Sequence, residues 1–368
     1  MSSSLYIHIP FCRSKCSYCS FVSFEGKDSL IEPYLEALRK EAHKYKGSCI
    51  STVYIGGGTP TCLSESQFRI LFDIIHSNFI IAQDAEITIE ANPATFDLAK
   101  ARAVFLCGSN RISLGVQSLN DNYLKYLGRP HNALDARMAF NTLREAGFKN
   151  INLDLMYSLP SESKQETEED VTELISLGSE HLSLYALSVG AGSEFHDLKI
   201  EPPKAEIQGE HHLYISQFLK RNGFLHYEIS NFGKTGYFCR HNLNYWRGGN
   251  YIGLGTAAHS HIDGHRWWNC ETIDGYIALI KDKASAIAGD ERLSEEKRFM
   301  ETLLIGLRLT QGVDVADLEE RFEVSLPEEK RDIISGLIEH GLLADEKGRL
   351  KATMTGMVVL DDICSRLI

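Results

Sequence analysis

The sequence predicts an α/β fold: a partial, open (β/α)6 barrel, followed by a small, mainly helical, winged-helix-like C-terminal domain. Three observations carry this. Six short β-like runs, at residues 5–10, 52–57, 86–91, 111–116, 150–156 and 181–187, are rich in Ile, Val, Leu and Tyr, as strands covered on both faces are. Helical patterns lie between them, and such alternation builds a parallel sheet with right-handed crossovers. Six repeats are fewer than the eight of a closed barrel, so the sheet stays open.

In chain order, the first run, "LYIHI" at residues 5–9, alternates poorly and reads as a buried strand. In "LIEPYLEALRKEAHKY" (30–45), Ile31, Tyr34, Leu35, Leu38 and Ala42 share one helical face. The helix in 63–79 opens with Ser64 as N-cap and Gln67 three residues on, a capping-box pattern. Helices in 133–148 and 163–178 end at Gly147 and Gly178, the usual place for a left-handed terminator. Glycines and a Pro-Pro pair at 190–206 mark the exit from the barrel. A helix to about Arg221 follows, then an irregular segment, 223–270, rich in Gly, Asn and aromatic residues. From Ser294 the pattern is helical again, and 325–367 reads as helix, helix, short hairpin, helix. The expected domains are 1–205 for the barrel, 206–290 for its extension and 291–368 for the C-terminal unit.

Charged residues at 24% and hydrophobic ones at 43% are ordinary for a globular protein. A net charge of −12 gives no electrostatic reason to expect nucleic acid as a partner. No signal peptide opens the chain, and no stretch reaches the roughly 20 apolar residues of a membrane helix. The expected compartment is the cytoplasm, where clustered thiols more often bind metal than form disulfides. Of nine cysteines, Cys49, Cys62, Cys107, Cys239, Cys270 and Cys364 are scattered and read mostly as buried free thiols.

The other three are gathered. "IPFCRSKCSYCSF" sets Cys12, Cys16 and Cys19 in the loop after the first strand, where a cofactor sits in such folds. A structural zinc site wants four ligands, usually in two separated pairs. A cubane iron–sulfur cluster can take three thiolates and keep one iron open. Spacing alone leaves cluster, zinc and chance open. The second strand then runs into three glycines, "VYIGGGTP", which let a ligand approach the backbone and present N–H groups to it.

"YIHIPFCRSKCSYC" with "YIGGGTPT" resembles the radical S-adenosylmethionine superfamily, in the branch of oxygen-independent coproporphyrinogen III oxidase and its haem-chaperone relatives. The resemblance covers nearly the whole chain. It implies a [4Fe–4S] cluster on Cys12, Cys16 and Cys19, with S-adenosylmethionine on the open iron. It further implies cofactor contacts from Tyr6, Tyr18, Gly57, Gly58 and Thr59, and from Glu90 in "ITIEANP", Gln117 in "SLGVQS", Arg129 in "LGRPHN" and Asp154 in "NLDLMYSLP". The residue types suit the ligand: carboxylates pair with its cations and hydroxyls, Arg and Gln with its anionic and polar ends. Taken singly, each is an ordinary polar residue at a strand end.

The resemblance offers two roles. Its oxidases decarboxylate two propionates by radical chemistry, typically carry a fourth cysteine two positions after the third, and begin with a long extension. Here Phe21 holds that position and only five residues precede Tyr6. "HNLNYW", 241–246, matches the H-N-x-x-Y-W motif of the haem chaperones. His241 offers an imidazole to haem iron, Tyr245 and Trp246 offer flat apolar surface, and Cys239 is a rival donor. His259, His261, His265, Trp267 and Trp268 lie close by. The expectation is a haem chaperone without oxidase activity, with haem and haem-requiring clients as partners, respiratory-chain and membrane-associated proteins among them. The alternatives are the oxidase or another radical enzyme.

Overall fold

The computed structural model describes residues 3–368. Strands stand at all six expected places: β1 (Ser3–Ile9), β2 (Ser48–Gly57), β3 (Phe79–Ala91), β4 (Arg111–Gln117), β5 (Ile151–Tyr157) and β6 (His181–Ala186). They are parallel and lie side by side in chain order. Register aligns Tyr6 with Tyr54, Tyr54 with Thr88, and Glu90 with Ser113.

Because side chains alternate along a strand, each strand has two characters. Leu5, Ile7, Val53, Ile55, Ile89, Leu114 and Leu153 point outward into the main core beneath the helices. Tyr6, Tyr54, Glu90, Ser113 and Asp154 point inward and line a cavity. The first strand therefore does alternate, with Tyr6 and His8 between fully buried Leu5, Ile7 and Ile9. A barrel interior made for a polar ligand explains why its strands do not read as uniformly apolar.

The helices form where their caps say. In α1 (Ile31–His43) the five expected residues are buried, and Ser64 with Gln67 closes a capping box on α2 (Glu65–Asn78). After α3 (Leu98–Leu106), α4 (Ala133–Ala146) stops at Gly147, with φ of 110°. Gly178, with φ of 87°, lies just beyond α5 (Lys164–Ser176), and α6 (Ala205–Arg221) follows.

The sheet is wider than six strands. Residues 223–270, which read as irregular, extend it at both edges. β7 (Leu225–Glu228) and β8 (Asn231–Gly233) join antiparallel beside β6. After α7 (Arg240–Trp246), β9 (Tyr251–Leu254) pairs parallel with β1, and β10 (His259–Ile262), β11 (His265–Asn269) and β12 (Ile287–Arg292) follow antiparallel. The order β12-β11-β10-β9-β1-β2-β3-β4-β5-β6-β8-β7 leaves two free edges, so the barrel is open. Such short strands, built of Gly, His, Asn and Trp, have no apolar period of their own and form because a neighbour supplies the hydrogen-bonding edge.

After α8 (Ile273–Lys283), Ser294 caps α9 (Glu295–Gly306), which leads into a unit with its own core of Phe299, Leu303, Leu307, Phe322, Leu337 and Leu350. It holds α10 (Val315–Phe322), α11 (Glu328–Glu339), a hairpin of Leu343–Glu346 and Arg349–Ala352, and two short helices, Met354–Val358 and Leu360–Leu367. Within 325–367 one helix precedes the hairpin and two follow, the reverse of the expected count. Gly336 lies inside α11 without breaking it.

The scattered thiols also differ from expectation. Only Cys239 of the six is buried, Cys49 is exposed and the other four are half-buried. Cys49, Cys62, Cys107 and Cys270 stand at or beside element ends, where one side stays open, and Cys364 lies on the half-exposed last helix.

Candidate functional site

At the C-terminal ends of the parallel strands lies a cavity of about 400 Å³. Cys12, Cys16 and Cys19 line one wall; Tyr6, Tyr18, Gly57, Gly58, Thr59, Glu90, Gln117, Arg129 and Asp154 line the rest. Residues up to 148 positions apart thus meet because each lies on an inward-facing strand of one sheet or on a loop that follows its C-terminal end.

The cysteine loop is held by the glycine loop. The carbonyls of Ile9 and Phe11 accept the N–H groups of Gly58 and Thr59 at 2.9 and 2.8 Å. Cys12 Sγ lies 3.5 Å from Thr59 Oγ1. A Cβ on Gly58 would fall 2.7 Å from the Phe11 carbonyl, and one on Gly57 2.6 Å from the His8 ring. The glycines are therefore required by loop-on-loop packing. This corrects the expectation that their N–H groups are free for a ligand: Gly57 donates to Glu90 Oε2 at 3.1 Å, and the next two are engaged as above.

Arg129 ties three walls together. Its Nη1 donates to Cys16 Sγ at 3.3 Å, and its Nη2 to Asn92 Oδ1 at 2.6 Å and the Gly115 carbonyl at 2.7 Å. Its Nε is buried and, among the described residues, has no partner.

Glu90 and Asp154 face the same cavity. Tyr54 donates to Glu90 Oε1 at 2.9 Å, and Asn152 donates to Asp154 Oδ1 at 2.7 Å. Burial pushes Glu90 up to about 7, with the nearby Asp154 charge adding to the rise. Burial likewise lifts Asp154 to about 6, against the pull of Asn152 and Ser183. Two carboxyls so placed gain from a cationic ligand, which restores their charge. Gln117, at the end of β4, has φ of 70°, a strained conformation for a residue with a Cβ that costs about 1–3 kcal/mol and concentrates at functional sites.

Sequence reading missed Asn92 and Tyr54. Asn92 Nδ2 donates to Thr59 Oγ1 at 2.8 Å and so joins the glycine loop to Arg129. Tyr54 stands two residues before Gly56 on the inward face, and strict alternation would have found it. Asn92 lies just beyond a strand and left no such signal.

His241 is not brought to the cavity. It sits in α7, which closes the opposite end of the barrel, and is 1% exposed. Its Nδ1 lies 2.9 Å from Thr52 Oγ1 and its Nε2 3.0 Å from Tyr245 Oη. Glu86 accepts the N–H groups of Arg240 and His241, both at 3.0 Å, and fixes the start of the helix. Burial, helped by Arg111, pushes His241 down to about 3. Cys239 is as deep, its thiol pushed up to about 12 by burial. As placed, neither presents a free donor.

Residues 6–174 match the Radical SAM superfamily and residues 293–359 the HemN C-terminal domain. The chain is 34% identical over 369 residues to "Heme chaperone HemW" of Bacillus subtilis (strain 168), covering 98% of this chain and 97% of that one. The chain belongs to the HemW family. The Lactococcus lactis HemW is 31% identical, with 100% of this chain and 97% of that one covered; the HemW of Escherichia coli (strain K12) is 39% identical over 70% of each. Among solved structures, the Escherichia coli coproporphyrinogen III oxidase HemN superposes with a TM-score of 0.87 at 22% identity, over 100% of this chain and 90% of that one. That likeness establishes the fold.

Membership in a radical SAM family implies a [4Fe–4S] cluster and S-adenosylmethionine, and the residues of this HemW-family chain fit both. Among the described residues, no three His, Cys, Asp or Glu side chains converge as for a single ion. The three thiols instead line a cavity that also holds the two raised carboxyls.

Proposed function

We propose that this protein binds haem and transfers it to haem-requiring clients, holding a [4Fe–4S] cluster and S-adenosylmethionine in the strand-end cavity. The observation that carries this reading is end-to-end similarity to curated heme chaperones, through both the barrel and the C-terminal unit. Phe21 supports the carrier over the oxidase: where the oxidases have a fourth cysteine, a phenyl ring stands at the cavity rim, 69% exposed. Residues 1–205 hold cluster and S-adenosylmethionine, 206–290 carry the haem-related segment and 291–368 form the C-terminal unit. The protein works in the cytoplasm, where its thiols stay reduced. Respiratory-chain proteins are the first clients to test. Among the described residues no helix is long and apolar enough to cross a membrane.

When bound on three thiolates, the cluster supplies an iron open to the amino and carboxylate groups of S-adenosylmethionine. Cys12, Cys16 and Cys19 anchor it, and Arg129 sets positive charge beside Cys16. Glu90 and Asp154 meet the cationic and hydroxyl-bearing parts of the ligand, Arg129 Nε offers a donor to an anionic part, and Tyr6, Tyr18 and Gln117 close the walls.

The test is anaerobic, reconstituted protein supplied with coproporphyrinogen III in one arm and haem in another. No protoporphyrinogen IX should form, haem should bind, and an apo-client should gain it. Turnover of the porphyrinogen without haem binding at micromolar concentration would promote the oxidase.

A further inference from the structure

If the protein carries haem, iron needs a donor that a solvent-borne ligand can reach. Of the histidines in 241–265, His241 is engaged through both ring nitrogens, while His261 and His265 are half-buried and held through one nitrogen each. His261 Nδ1 lies 3.5 Å from the Gly249 carbonyl, and His265 Nε2 lies 2.8 Å from Asp290 Oδ2. His259 is exposed, and among the described residues neither of its ring nitrogens has a hydrogen bond.

Its place follows from register. Tyr6 pairs with Gly253 across β1 and β9. Tyr251 pairs with His261 across β9 and β10, which sets His259 level with Gly253. His259 pairs with Trp268, and Trp268 with Gly289. Tyr6, His259 and Trp268 thus share one row of the inner face, which continues past the cavity onto the sheet extension. Two strand spacings separate His259 from Tyr6, about 10 Å.

The next row down is covered: Arg266, beside His261, pairs with Glu301 of α9. The His259 row lies above that cover and is open to solvent. Trp268 is fixed there. Its ring lies over Gly289, where a Cβ would come within 2.4 Å of it. The His259 ring stacks on it at 5.9 Å with an interplanar angle of 24°. Partial cover, one ring face lying on Trp268, and the Arg266 charge lower His259 from its ordinary value, which favours the neutral form that can ligate iron.

We propose that His259 is the axial donor to haem iron, with the Trp268 indole as an apolar wall beside the porphyrin. The inference rests on the carrier reading. It differs from the motif-based expectation in using an exposed, unbonded imidazole in place of the buried His241.

The experiment titrates full-length, reconstituted protein with ferric haem and reads affinity and the Soret spectrum. His259→Ala should weaken haem by roughly tenfold or more and remove the histidine-ligated spectrum. His259→Gln, close in size and unable to ligate iron in the same way, should do the same with an unchanged circular dichroism spectrum. His43→Ala, at an exposed histidine on α1, should behave as wild type. His241→Ala should keep the wild-type spectrum in its folded fraction. Wild-type affinity and spectrum in both His259 variants would overturn the assignment while leaving the carrier reading intact. Failure of the wild-type protein to bind haem at all would bring down the carrier reading, and this inference with it.

Discussion

The two ends of the barrel interior hold similar chemistry in opposite states. At the C-terminal end, thiols, carboxyls, a guanidinium and tyrosines surround an open cavity, and Glu90 and Asp154 are pushed up to about 7 and 6. At the other end, Glu86, Thr52, His241 and Tyr245 bond to one another around α7, and His241 is pushed down to about 3. Both ends carry family motifs. The comparison teaches that a motif only names residues, and their partners in the fold decide which side chains remain free for a ligand. The upper end leaves Arg129 Nε without a partner and Gln117 strained; at the lower end the histidine has no nitrogen left over.

The largest expected effect is at the upper end. Cys12→Ala, Cys16→Ala or Cys19→Ala should abolish iron content and the brown chromophore, since each leaves two thiolates where three are needed. Cys62→Ala and Cys364→Ala should keep both. Full iron retention in a triad variant would erase the distinction between the ends.

At the lower end, His241→Ala should cost about 2–3 kcal/mol of stability, because it empties a fully buried site and removes a partner from the buried Thr52 hydroxyl and the half-buried Tyr245 hydroxyl. Denaturant unfolding measures it. A variant of wild-type stability that loses haem would turn this end into a ligand site.

Glu90→Gln and Asp154→Asn should each weaken S-adenosylmethionine by about 1.5–3 kcal/mol, roughly tenfold or more, through loss of a charge-assisted contact. Unchanged calorimetric affinity in both would give these carboxylates a role in the fold, like that of Glu86.

The smallest effect is graded by pH. With Glu90 and Asp154 raised in the free protein to about 7 and 6, falling pH protonates them in that order. A cationic ligand needs them ionised, so its affinity should fall as pH drops from 8 to 5.5, and binding near pH 7 should release protons. Calorimetry in buffers of different ionisation enthalpy reads both. A flat profile would place the cation elsewhere in the cavity.

Much of the upper site was legible. The three cysteines are local, and most of the remaining cavity residues stand on the strands or just past their ends, which a strand–helix rhythm marks in sequence; Arg129, beyond a further helix, does not. Asn92 was not, because its role depends on Thr59 and Arg129 meeting around it. The glycine run was found and its reason misread: the groups that forbid a Cβ belong to His8 and Phe11, and nothing local says so. The edge strands of 223–270 were invisible because they take their order from β1 and β6.

What the sequence determined by itself is what short range can encode: six strands, their capped helices and a thiol triad within eight residues. Tertiary structure decided which polar residues stay available. His241 and His259 are eighteen positions apart, and both have an aromatic neighbour. One lies against Thr52 and Tyr245 and the other faces solvent above the C-terminal unit. A side chain's access to a ligand is set by what the rest of the chain packs against it. That packing comes from contacts almost two hundred residues distant, for which local pattern carries no record.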